Sequence, residues 1–249
     1  LVTGPTGSGK TTTLYAALSE LNTVDKKIIT VEDPVEYRLR GINQVQINEK
    51  IDLTFARVLR SALRQDPDII LVGEMRDEET AQIGLRAALT GHMVLSTLHT
   101  KDAISTPIRL IDMGAPYYMV ATSLHAVIAQ RLVRLICESC AEPRQPDVNE
   151  LHWLVARMGE GAQEGRFMRG RGCSNSNGTG YQGRIGVYEM LEMNLDLVRA
   201  TNRNDANLFT ELAKRQMQGR SLGHSAFKLA SQGRTTLSEA IRVASAEEE

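Results

Sequence analysis

The chain has 249 residues, of which 42% are hydrophobic, 4% aromatic and 24% charged, enough apolar material for the core of one large or two modest domains. Lys and Arg total 29 against 30 for Asp and Glu, a formal net charge of −1, which leaves no electrostatic footprint for bulk nucleic-acid or anionic-membrane binding. No apolar run approaches the ~18–20 residues that span a bilayer, and three cysteines are too few and too odd in number for a secreted disulfide framework, which fits a reducing, cytoplasmic compartment.

In chain order, residues 1–3 read as the stub of a strand directly before a glycine-rich loop. Buried strands run about 5–6 residues, so the expectation is a fragment whose upstream part precedes Leu1. Nothing near Leu1 has the charged and apolar segments of a signal peptide. Residues 10–22 carry Leu14, Ala17, Leu18 and Leu21 on one helical face. Residues 27–31 are a short β-branched strand, ended by Glu32-Asp33-Pro34, where proline stops pairing. Another short strand is expected at 45–47. Residues 54–63 predict a helix with Phe55, Val58, Leu59 and Ala62 inward. Residues 68–73 form a continuous apolar run of the kind buried on both faces of a parallel sheet. A helix at 78–90 and a strand at 91–97 follow, and this alternation argues for an α/β layer structure.

The pattern changes after about residue 135. Residues 137–186 hold all three cysteines, Pro143, Pro146 and a glycine-dense stretch from Gly170 to Gly186, the composition of a loop-rich insert. Residues 195–246 return to helical patterning, with Thr236-Leu237-Ser238-Glu239 as a capping box before an acidic tail at 247–249. The expected division is therefore an α/β core at 1–135, a cysteine-bearing subdomain at 136–190 and a helical region at 191–249.

Gly4-Pro5-Thr6-Gly7-Ser8-Gly9-Lys10-Thr11 fits G-x-x-x-x-G-K-[ST] in full, between a strand stub and a helix. The glycines let backbone N–H groups converge on phosphates, and the helix start adds partial positive charge. Lys10 would reach the β- and γ-oxygens, and the Thr11 hydroxyl would ligate Mg²⁺. The motif predicts ATP or another nucleoside triphosphate as ligand.

A triphosphatase also needs an acid to orient water, and Glu74 stands at the carboxyl end of the 68–73 strand. The usual acid position before it is Gly73, which leaves metal contact to Glu74 through water or to acids elsewhere. Thr30-Val31-Glu32-Asp33-Pro34-Val35-Glu36-Tyr37 offers three such carboxylates at another strand end. Gly91-His92-Met93-Val94-Leu95-Ser96-Thr97-Leu98-His99-Thr100 brackets a strand with histidines. His99 is at the carboxyl end, on the edge of the phosphate loop. His92, at the other end, is expected to pack or cap. Position alone leaves His99 as readily structural as γ-phosphate-sensing.

Together these segments resemble the secretion-superfamily ATPases that power type II secretion and type IV pilus assembly. The phosphate loop, T-V-E-D-P-V-E-Y, G-E-M-R-D and T-G-H-M-V-L-S-T-L-H-T occur in that family's order along essentially the whole chain. The resemblance implies a RecA-like P-loop core in a hexamer with ATP between neighbours. It also implies Glu74 as catalytic glutamate, Glu32, Asp33 and Glu36 as an acidic box, His99 as the γ-phosphate-linked histidine, and Arg76 as part of the shared pattern. It further implies an upstream domain that packs over the nucleotide and supplies arginines to the neighbouring site, so the chain alone is expected to bind ATP weakly and hydrolyse it poorly. An inner-membrane platform protein is the implied partner, with membrane contact only through partners at the cytoplasmic face. Arg57, Arg60 and Arg64 share one helical face and read equally as a solvated stripe or as an intersubunit or phosphate-adjacent surface.

Cys137-Glu138-Ser139-Cys140 and Cys173-Ser174-Asn175-Ser176 look like two halves of a structural Zn²⁺ site, with Ser176 where a fourth thiolate would stand. A serine hydroxyl is a poor zinc ligand, and the spacing favours neither His152 nor Asp147 as substitute. Cys137, Cys140 and Cys173 are thus either an incomplete metal site or a loop whose packing replaces the metal. Retraction-type relatives generally lack such a segment, and no A-I-R-N-L-I-like stretch occurs near the C-terminus, which favours pilin or pseudopilin extrusion. The competing function is a nucleic-acid motor of a conjugation or DNA-uptake system, opposed by the near-neutral charge and the sparse aromatics.

Overall fold

The computed structural model describes residues 1–248, so of the expected acidic tail Glu249 lies outside the described residues, as do the side chains of the two residues before it. Chain contacts separate two compact units. The first comprises Leu1–Gly4, Lys10–Ile128 and Leu191–Gln216; the second comprises Pro5–Gly9, Ala129–Met190 and Met217–Glu249.

In the first unit a parallel sheet runs in the order β3 (Asn43–Gln46), β2 (Ile28–Glu32), β4 (Ile69–Val72), β5 (Met93–Leu98), β1 (Val2–Thr3). The register pairs Val31 with Val72, Val72 with Ser96, and Thr3 with Leu98. Because all these strands are parallel, the carboxyl ends of β1, β2, β4 and β5 lie on one edge. β4 shows why its sequence is continuously apolar. Ile70 and Val72 pack with Val58 and Leu59 of α2 (Phe55–Leu63), while Ile69 and Leu71 pack with Leu14 and Leu18 of α1 (Lys10–Leu21). Each such side chain contributes roughly 1.5–3 kcal/mol when fully buried, so a polar residue anywhere in β4 would open one face or the other.

Thr54 caps α2 by accepting from Arg57 N, and Asp77 does the same for α3 (Glu78–Leu89) through Thr80 N. Two shorter helices, α4 (Ser105–Asp112) and α5 (Tyr117–Ser123), lead to β6 (Ala126–Ile136), whose start lies beside β1: Ile128 N donates to Leu1 O at 2.9 Å. α7 (Leu195–Asn202) and α8 (Ala206–Gln216) complete this unit. The strand expected at 45–47 begins two residues earlier and ends one earlier, at Asn43–Gln46, and its Gln44 makes the inward polar contact described below.

In the second unit the rest of β6 neighbours β9 (Tyr181–Glu192), and β7 (Ala141–Pro143) pairs antiparallel with β8 (Met168–Gly170). α9 (Leu222–Ser231) and α10 (Leu237–Glu248) pack together, and Ala226, Phe227, Ala240 and Val243 on them are buried. The long strands β6 and β9 each cross from one unit to the other, so α7 and α8 cluster with the sheet unit and α9 and α10 with the cysteine segment.

The 136–190 segment, expected to be loop-rich, contains one α-helix: α6 (Val148–Met158) is opened by a complete capping box, Asp147 accepting from Glu150 N while the Glu150 carboxylate accepts from Asp147 N. The box expected at Thr236 is only half formed. Thr236 Oγ1 accepts from Glu239 N at 3.3 Å, but the buried Glu239 carboxylate accepts instead from Arg134 N at 2.9 Å and pairs with the Arg134 and Arg242 guanidiniums. Two cations outcompete one backbone N–H for a carboxylate. Among the described residues no helix is long and apolar enough to cross a membrane.

Candidate active site

The phosphate loop follows β1 and opens α1. Gly7 and Gly9 take φ of 79° and 87°, values that only glycine adopts without strain. Ser8 N donates to Pro5 O at 3.2 Å, closing the turn. Lys10 Nζ donates to Gly4 O at 2.8 Å, which folds the ammonium back along the loop. Ser8 Oγ is buried with no hydrogen-bond partner among the described residues. An orphaned hydroxyl, a glycine cradle and a lysine at the loop suit an anion with several oxygens, so these residues fit a nucleotide's phosphates.

The edge where the strands end carries the acids. After β4, Gly73 N donates to Val31 O at 2.7 Å and Thr97 Oγ1 donates to Gly73 O at 2.7 Å. A Cβ at Gly73 would lie 3.2 Å from Val31 O and 3.3 Å from Glu32 Cα. A side chain at this position would press on the backbone of β2, and the next residue, Glu74, carries the carboxylate at this strand end. Glu74 Oε1 accepts from Arg76 Nη2 at 2.5 Å, and Glu74 Oε2 lies 3.8 Å from His99 Nε2. Arg76 Nη1 reaches Asp33 Oδ2 at 3.4 Å. The hydrogen bond to Glu74 raises Arg76 further above its already high range, so this residue is a fixed charge. His99 is placed by its neighbour, since Thr100 N donates to Thr3 Oγ1 at 2.9 Å and ties the end of β5 to β1. Glu74, Arg76, Asp33 and His99 thus form one cluster.

Glu32 and Glu36 stand apart from it. Glu32 is 3% exposed. Its carboxylate accepts from Tyr15 of α1, from Thr30 Oγ1 and, at 3.2 Å, from Gln44 Nε2. Burial and the facing carboxylate together push the Tyr15 hydroxyl well above its ordinary range. The same hydroxyl accepts from Glu36 N at 3.3 Å, and the Tyr15 ring meets Tyr37 edge-on at 4.8 Å. Glu32 is therefore the buried anchor of the 33–37 loop, and the Glu36 side chain is exposed. Tyr15 and Gln44 were invisible to motif reasoning. Tyr15 lies beside the apolar stripe of α1, and a tyrosine there reads as core.

His92 does cap, with Nδ1 at 3.0 Å from Ala87 O at the end of α3. The arginine stripe of α2 is engaged locally: Arg57 pairs with Asp52, Arg60 with Glu79, and Arg64 Nη2 donates to Ser61 Oγ at 3.2 Å.

In the second unit the sulfurs of Cys137, Cys140 and Cys173 lie within 4.8 Å of one another. Ser176 Oγ occupies the fourth corner, 3.6 Å from Cys173 Sγ and 3.9 Å from Cys140 Sγ. That hydroxyl accepts from Cys173 N at 3.0 Å and Gly180 N at 3.2 Å and donates to Cys173 O at 3.1 Å. A hydroxyl has one proton and two lone pairs, and all are used. Three thiols with a saturated hydroxyl do not fit the closed four-ligand zinc set; neither His152 nor Asp147 enters the cluster. Burial pushes the Cys137 thiol up, while hydrogen bonding from Ser176 brings the Cys173 thiol down to about 7.

Residues 1–242 match the family described as Type II/IV secretion system protein. The chain is 49% identical over 247 residues to a "Type II secretion system protein E" of Pectobacterium carotovorum subsp. carotovorum, covering 98% of this chain and 48% of that protein. A protein of the same description from Aeromonas hydrophila is 48% identical over 243 residues, with 98% and 48% covered. The chain thus spans about half the length of the curated relatives it matches. Among solved structures it resembles the pilus retraction motor PilT with bound ADP, at TM-score 0.71 and 32% identity over 97% of this chain and 60% of that one. It also resembles the Legionella pneumophila ATPase DotB, at TM-score 0.68 and 25% identity over 98% and 59%.

Proposed function

The chain belongs to the type II/IV secretion system protein family, and on that footing we propose that it binds MgATP on residues 4–11 and hydrolyses it as the motor part of a hexameric secretion or pilus-assembly ATPase. The observation that carries the reading is the junction of Glu74, Arg76, Asp33 and His99 at the carboxyl edge of the sheet that also begins the phosphate loop.

The loop amides and Lys10 bind the triphosphate and offset its charge. Mg²⁺, held by the Thr11 hydroxyl, would supply further positive charge against the β- and γ-oxygens. Glu74 orients the attacking water and accepts its proton. Arg76 keeps that carboxylate aimed, and His99, on the same edge, reports whether the terminal phosphate is present. Glu32 acts from beneath, holding the loop that carries Asp33 and Glu36. The hexamer, an inner-membrane platform protein and the protein's own upstream domain are the proposed partners. Membrane contact passes through them at the cytoplasmic face, and extrusion of pilin-like subunits is the proposed work.

The test is phosphate release and ADP binding by the intact protein. Glu74→Gln should lower kcat by about 10²–10⁴-fold while ADP still binds, and Lys10→Ala should lose nucleotide. Unchanged turnover in the Glu74 variant would overturn the mechanism.

A further inference from the structure

Gln130 lies on β6, is 2% exposed, and belongs to the same compact unit as the loop residues Pro5–Gly9. Its Nε2 donates to Ser8 O at 2.7 Å. A Cβ built on Gly9 would lie 2.9 Å from that nitrogen. The amide therefore sits directly against the Ser8–Gly9 peptide. Its own backbone is pinned in turn, Arg131 Nη1 donating to Gln130 O at 3.0 Å.

A trans peptide points its C=O and the next N–H in opposite directions, and the one cis bond among the described residues is Asp33-Pro34. Capturing the Ser8 carbonyl on the β6 side therefore turns the Gly9 N–H to the opposite side. If that peptide flipped, a carbonyl oxygen would replace an N–H donor on the face meant for phosphate, so attraction would become repulsion. Glycine tolerates φ of either sign, and the loop's own sequence does not fix the direction of this peptide. Something outside the loop must.

We infer that Gln130 is a positioning residue for the nucleotide: its amide locks the Ser8–Gly9 peptide so that Gly9 N–H faces the phosphates. The inference rests on the nucleotide-binding reading above. Gly9 N–H meets the phosphates in ground and transition states alike, so loss of the lock weakens affinity more than turnover.

The experiment uses the intact protein, with MgADP binding at equilibrium, ATPase kinetics and melting temperature. Gln130→Leu keeps the size and removes the donor. It should raise the Kd for MgADP and the KM for ATP about ten-fold, with kcat at saturating ATP within about two-fold. Gln130→Glu keeps shape and size and sets an acceptor against Ser8 O, so it should bind at least as weakly; it serves if the leucine variant does not fold. Wild-type affinity in either folded variant overturns the inference. Lys10→Ala measured alongside separates the two readings. If Lys10→Ala loses MgADP while Gln130→Leu does not, only the role of Gln130 fails. If Lys10→Ala also binds normally, the nucleotide-binding reading fails first.

Discussion

Replacing Tyr15 by Phe removes one oxygen, and the structure gives that oxygen three contacts at once. The hydroxyl donates to the buried Glu32 carboxylate and accepts from Glu36 N and Gln44 Nε2, both at 3.3 Å. A hydrogen bond to a charged group contributes about 1.5–3 kcal/mol, and Glu32 keeps Thr30 and Gln44 as partial compensation. We expect Tyr15→Phe to destabilise by about 2–3 kcal/mol, and at about 2–4 °C per kcal/mol for a chain of this length that is roughly 4–12 °C in Tm. The assay is urea unfolding, repeated across alkaline pH. Tyr15 keeps its proton in the native state well above the unfolded value of about 10. The native state therefore binds more protons than the unfolded state above that pH, and stability falls as pH rises. The benefit is complete below about pH 10 and declines above it in wild type; the Phe variant lacks this component of the slope. A Tyr15→Phe protein within about 0.5 kcal/mol of wild type at pH 7, with the same alkaline slope, would refute the claim that Tyr15 anchors the acidic loop.

Gly73→Ala forces a Cβ to 3.2 Å from Val31 O and should cost about 1–3 kcal/mol, read as a lower urea midpoint; an unchanged midpoint would mean that β2 and β4 separate freely. Arg76→Ala frees Glu74 and Asp33 from an exposed ion pair, so stability should change by less than about 1 kcal/mol while kcat falls about ten-fold and ADP affinity holds, as steady-state kinetics would register. Ser176→Cys completes four thiolates, and elemental analysis should find about one zinc per chain in that variant, with a chelator-sensitive Tm. Wild type should hold no stoichiometric zinc, and finding it would show that the Ser176 hydroxyl gives up its hydrogen bonds to a metal.

The sequence by itself determined the phosphate loop, the parallel α/β core and the edge on which Glu74 and His99 stand. Those features depend on local spacing: fixed glycines and lysine, a strand apolar at every position, and acids directly after strands. The comparisons agree with the family that these motifs indicated. Tertiary structure alone decided which acids work together. Glu32 and Asp33 are adjacent in sequence, yet one turns inward to Tyr15 and Gln44 and the other outward to Arg76, because Glu32 is the last residue of β2 and Asp33 already belongs to the bend after it. It also decided how closely Gly73 lies against the backbone of β2, and how Ser176 is spent, since its donors lie at Cys173 and Gly180. Gln130 makes the same point from far along the chain: a residue 122 positions from Ser8 leaves no mark in a motif, because only folding brings its amide to the loop.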